Sequence, residues 1–128
     1  MIHLELLVFL IMGHFIADWI FQSHPAALAK AKNKTIRQMH SIIYGIVATL
    51  IATPVLITLS PSYLPAVILG VLIISHFFLD DRKLVAQLMH MKKMTDEDIK
   101  DNGWLVITLD QIIHIAIIFL IAVFAFFL

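Results

Sequence analysis

"VLIISHFFLDD", residues 71–81, decides what kind of chain this is. It reads as the end of a lipid-crossing helix, yet His76 and Asp80 stand four residues apart inside it. The stretch "IMGHFIADWIFQ", residues 11–22, repeats the arrangement with His14, Asp18 and Gln22. Ionisable groups are costly in hydrocarbon and, where they occur, face a bundle interior and a partner. Two such pairs at helical spacing therefore point to a shared polar interior.

The rest of the chain extends that reading. Of its 128 residues, 61% are hydrophobic and only 14% charged, far from the soluble average. Apolar runs lie at about residues 4–22, 39–59, 63–80 and 104–127. Each approaches the ~20 residues needed to cross ~30 Å of hydrocarbon. The expected fold is all-α: one polytopic membrane domain over residues 1–128, a bundle of four transmembrane helices with loops at 23–38 and 81–103. The first run lacks the basic flank of a secretory signal and carries His and Asp instead of a plain apolar stretch. With no cysteine, disulfides and thiolate metal sites are excluded. A formal net charge of zero argues against a nucleic-acid partner.

Charge distribution orients the bundle. Lys30, Lys32, Lys34 and Arg37 lie between the first two runs, and Arg82, Lys83, Lys92, Lys93 and Lys100 between the last two. The turn "TPVLITLSPSYLP" and both termini have no Lys or Arg. By the positive-inside rule the two basic loops are cytoplasmic and both termini are not. Within the loops, Ser23 followed by Pro25 is a helix start. Leu84, Leu88 and Met91 form a helical stripe, suited either to the membrane surface or to a continuation of the third span. "TDED" is a capped start, Asn102-Gly103 a helix end, and Trp104 an interfacial anchor. His3, His24 and His90 read as surface or interfacial residues.

That orientation gathers the polar residues at one depth. His14, Asp18 and Gln22 end the first span; His76 and Asp80 end the third. His40 begins the second, and Asp110, Gln111 and His114 fall in the first third of the fourth. At ~1.5 Å per residue, most lie within roughly 15 Å of the cytoplasmic boundary. A lone histidine on an apolar helix is usually a hydrogen-bonded packing residue, and polar pairs can simply join helices. Three His/Asp pairs and a fourth His from four spans favour a site. Asp18, Asp80 and Asp110 need a counter-cation if they stay ionised in a low-dielectric interior; protonated histidines or Lys83 could supply it, and a divalent metal would serve better. Neutral imidazoles and carboxylates are ligands for a divalent metal, first Zn²⁺, then Mn²⁺ or Fe²⁺. The expected ligands are His14, His40, His76, Asp80, Asp110 and His114 around one or two ions, with Gln22 and Gln111 holding them by hydrogen bonds.

"HFIAD" in the first span and "HFFLD" in the third are alike, and each is followed by a span carrying Gln and His, as in "RQMHSII" and "LDQIIHIAII". This suggests an internal two-fold repeat about an axis along the membrane normal. His-x-x-x-Asp-x-x-x-Gln, His-x-x-x-Asp followed by Lys83, and "DQIIH" together resemble the bacterial membrane family labelled domain of unknown function 3307, over nearly the whole chain. More distantly, the His and Asp clusters are similar to those of membrane-bound metal-dependent hydrolases, by analogy of site chemistry alone.

The leading functional expectation is a metal-dependent hydrolase of a lipid or lipid-linked ester at the cytoplasmic leaflet of the bacterial inner membrane. Asp18 would be the general base toward water activated at the metal, and Lys83 and Lys30 would attract an anionic headgroup. The alternatives are a metal-ion or proton transporter using the same cluster, and a non-enzymatic membrane subunit. The apolar outer half of the bundle weighs against a conduit. Beyond the bilayer and substrate, a second copy of the chain is a compatible partner.

Overall fold

Short polar caps and prolines set where the helices begin. The computed structural model describes residues 2–59, 62–125 and 127; for Ile2, His3, His24 and Leu28 it describes the backbone alone, so the surface expectation for His3 and His24 lies outside the described residues. Helix α1 spans Ile2–Trp19. In α2, His24–Ala29, the Ser23 hydroxyl accepts from the Ala26 N–H, with Pro25 in the first turn. Asn33 caps α3, Lys34–Leu56, accepting from Thr35 and Ile36 N–H groups at 3.0 and 3.1 Å. This cap starts the helix five residues before the apolar run does.

Helix α4, Leu64–Leu79, carries Pro65 in its first turn. It is followed, after Arg82 in the left-handed region (φ 58), by α5, Lys83–Met91. In α6, Asp96–Asp101, Thr95 and Asp98 form the reciprocal capping box expected of "TDED". Hydrogen bonds from the Thr95 backbone N–H and hydroxyl hold the Asp98 carboxyl below the usual carboxylate range. Asn102 then leads directly into α7, Gly103–Phe124. The described residues contain helices only.

Burial follows one face of each long helix. On α4 it is Leu64, Ile68, Leu72 and His76; on α7 Asp110, His114, Ile118, Ile121 and Ala122. On α1 it is Leu6, Leu10, His14, Ala17 and Asp18, and on α3 His40, Tyr44, Ala48 and Ala52 are among the buried residues. The i, i+4 register makes these continuous stripes. Each stripe is hydrocarbon at one end and His or Asp at the other. Because α1 and α4 run opposite to α3 and α7, all four polar ends meet at one level. The tightest packing joins α1 to α3 and α3 to α4. A Cβ on Gly13 would sit 2.7 Å from the Ala48 Cα, so glycine there sets how closely α1 and α3 approach.

Among the described residues, α3 and α7 are each long and apolar enough to cross a membrane. Helices α4 and α5 pass that test together but are bent by 53° at their break, so the count is two, or three if the pair is one span, against the four expected. The third run, expected over 63–80, yields a helix of 16 residues, short for a span by itself. Helix α5 turns off rather than continuing it. Its Val85 and Met89 are buried, while Leu84, Leu88 and Met91 form an exposed apolar stripe.

Candidate metal centre

The polar ends of the four stripes close into one cluster, all of it at most 8% exposed. Its centre is a set of four atoms from three helices and one helix end: Asp18 Oδ1, His40 Nε2, His76 Nε2 and Asp80 Oδ2. His40 Nε2 lies 3.0 Å from Asp18 Oδ1, 3.0 Å from His76 Nε2 and 3.6 Å from Asp80 Oδ2. His76 Nε2 lies 3.4 Å from Asp18 Oδ1 and 3.2 Å from Asp80 Oδ2. Tetrahedral Zn²⁺ with bonds of about 2.0–2.1 Å separates neighbouring ligand atoms by about 3.3–3.4 Å. These five separations bracket that value, so His40 and His76 are spaced from each other and from each of the two carboxylates as ligands of one ion are.

Three overlapping groups can each hold a metal ion: His14, Asp18 and His76; His40, His76 and Asp80; and Asp80, Asp110 and His114. Their hydrogen bonds differ in what they leave free. His114 Nδ1–H donates to the Asp110 backbone carbonyl at 2.7 Å, which leaves Nε2 as a bare acceptor 3.6 Å from Asp80 Oδ1. This is the tautomer a metal-ligating histidine is usually fixed in. His14 is engaged on both sides: Nε2–H donates to Gln111 Oε1 at 3.0 Å, and Nδ1 accepts from the Tyr44 hydroxyl at 3.2 Å. His14 thus braces the cluster, with its Nδ1 3.9 Å from Asp18 Oδ2.

Other residues singled out in the sequence fall at different distances from this centre. Gln111 reaches it through His14; Gln22 is half-buried just beyond α1, with its amide nitrogen buried and without a hydrogen-bond partner. Lys83 is exposed and pairs with Asp81 at 3.3 Å, away from the cluster. Lys30 behaves differently. It is 3% exposed, and its ammonium lies 2.9 Å from Asp80 Oδ1. Among the side chains in contact, three carboxylates and one ammonium leave two negative charges when the imidazoles are neutral. One divalent cation cancels them.

Tyr44 belongs to the cluster although composition alone gives no reason to single it out. Its ring stacks on His76 with centroids 3.6 Å apart and planes 9° from parallel. The signal available was its spacing, one turn after His40 on α3.

A family model, described as a protein of unknown function (DUF3307), matches residues 6–128. The chain belongs to the DUF3307 family. The match takes in every residue of the cluster and all four stripes. No curated protein and no solved structure matches the chain, and nothing in the comparisons supports the more distant likeness to membrane-bound metal-dependent hydrolases. Family membership therefore fixes kinship, and chemistry has to be argued from the cluster.

Proposed function

We propose that this is a bacterial inner-membrane protein of four spans, with a divalent metal centre, Zn²⁺ in first place, just beneath the cytoplasmic leaflet. The observation that carries this reading is the meeting of Asp18 and Asp80 with the Nε2 atoms of His40 and His76, at 3.0–3.6 Å, in a buried, net negative interior. Buried charges of one sign are strongly unfavourable without a counter-charge, and a bound cation supplies it.

We further propose that the centre serves hydrolysis of a lipid or lipid-linked ester. His40, His76 and Asp80 form a two-histidine, one-carboxylate set of the kind that leaves a fourth position for water. A divalent ion held there supplies an activated water and polarises the ester carbonyl or phosphoryl oxygen. Asp18, with Oδ1 3.0 Å from His40 Nε2 and 3.4 Å from His76 Nε2, would accept the proton of that water as general base. A groove of ≈ 520 Å³ between α4 and α7 supports a lipid substrate: Val67, Val71, Ser75, Ile117, Leu120 and Phe124 line it. Its lining is hydrocarbon apart from Ser75, which suits an acyl chain, and no residue of the cluster borders it.

One observation favours a second reading. Four protein ligands with no open corner are the usual form of a structural metal site, and the cluster is almost fully buried. A non-enzymatic subunit held together by its metal has that form. Transport fits less well, because the buried stripes toward the other end of the bundle are hydrocarbon.

Elemental analysis of detergent-purified protein tests the centre: one metal per chain is expected, falling to near zero in His76→Ala. Absence of stoichiometric metal in wild type would sink it. Chelation separates the two roles. A hydrolase loses lipid-esterase activity in mixed micelles and keeps its melting temperature, whereas a structural site unfolds.

A further inference from the structure

We infer that the Lys30 ammonium is the built-in occupant of a second cation site formed by Asp80 Oδ1, Asp110 and His114. The chain would therefore hold one divalent ion as it stands and take a second when that ammonium is removed. This rests on the metal centre proposed above and assigns how many ions it takes.

Asp80 presents its two oxygens to different neighbours. Oδ2 faces His40 and His76, at 3.6 and 3.2 Å. Oδ1 faces the other way, toward His114 Nε2 at 3.6 Å and Lys30 Nζ at 2.9 Å. His114 is 2% exposed, and its Nε2 has no hydrogen-bond partner. Its Nδ1 proton is spent on the Asp110 carbonyl, so in the neutral imidazole Nε2 turns a lone pair toward a carboxylate oxygen. Two electron-rich atoms facing each other in a buried site need a cation nearby. Asp110, with Oδ1 3.9 Å from His114 Nδ1, adds a further negative charge.

Lys30 meets that need. It lies at the end of α2, in the basic loop, yet its side chain is buried while those of Lys32 and Lys34 are exposed. Lysine ammonium is a compact point charge on a flexible stem, able to stand where an ion would. With it in place, a second divalent ion at the Asp80–Asp110–His114 group would meet a like charge already ion-paired with its shared ligand. A single divalent ion and the ammonium together would then balance the three carboxylates.

The test is zinc content per chain, measured on full-length protein loaded with Zn²⁺ in detergent and desalted. Wild type should hold one, Lys30→Ala two, and Lys30→Ala with His114→Ala one again; Lys30→Arg, which keeps the charge, should hold one. A count of one in Lys30→Ala, or of two in wild type, overturns the inference and leaves the metal centre standing. A count of zero in wild type removes the centre itself. If Lys30→Ala is not monodisperse, Lys30→Met, which removes the charge and keeps the length of the side chain, decides: two zinc ions per chain support the inference, and one overturns it.

Discussion

Tyr44 touches two histidines through two different parts of one side chain. Its ring lies flat on His76, and its hydroxyl donates to His14. His76 Nδ1 is buried without a hydrogen-bond partner, so the stack does the orienting that a carbonyl or carboxylate does for most metal-binding histidines. Removing such a support typically weakens metal binding by about 10–100-fold. Tyr44→Ala should lose Zn²⁺ affinity in that range, while Tyr44→Phe, which keeps the ring, should stay close to wild type. Competition against a zinc-sensitive fluorophore in detergent measures both; equal losses would assign the effect to the hydroxyl and end the stacking argument. The His/Asp pairs were legible in the sequence because their four-residue spacing is itself the geometry of one helix face. Lys30 was visible as a cation but not as a buried one. Nothing in a loop with three lysines says which will turn inward, since that depends on how α2 packs.

The helices show a similar division at the scale of elements. Local chemistry predicted the starts at Ser23 and Thr95, where a side-chain oxygen meets an orphan N–H. Hydropathy misplaced other boundaries, because a helix runs as far as its caps allow and an apolar run as far as its solvent does. Asn33 extends α3 into the basic loop, and α1 ends at Trp19 although apolar residues continue to Phe21. Packing distances were hidden too. Gly13 looks like an ordinary glycine in an apolar run, but the Ala48 backbone lies where its Cβ would go. Backbone cannot step aside as a flexible side chain can, and overpacking typically costs about 1–3 kcal/mol. Gly13→Ala should lower thermal stability in detergent by an amount in that range and loosen the neighbouring His14–Tyr44 bond. A melting temperature equal to that of wild type would mean that α1 and α3 separate freely.

The four long helices are apolar outside and enclose a core that is hydrocarbon at one end and polar at the other. Val8, Met12, Ile46, Leu50, Ile74, Phe78, Ile112 and Phe119 are exposed on the four long helices, while histidine and aspartate are enclosed. A continuous apolar exterior of this kind belongs against lipid or another protein. It extends over α1 and α4 as well as over α3 and α7, while length and composition give two crossings, or three if α4 and α5 are one span. The basic residues of the connecting segments lie at the same end as the His/Asp cluster, which the positive-inside rule assigns to the cytoplasm. Since the chain has no cysteine, single cysteines can report each position without background. In intact cells a membrane-impermeant maleimide should label Ser62→Cys, in the turn between α3 and α4, and leave Lys100→Cys, in α6, unlabelled until the membrane is opened. Glu5→Cys, near the start of α1, carries the most information. If α1 crosses, it labels with Ser62→Cys; if α1 instead lies along the inner face, it stays protected with Lys100→Cys. In that case the first His/Asp pair would reach the cluster from the side, and the four-span bundle would have to be given up.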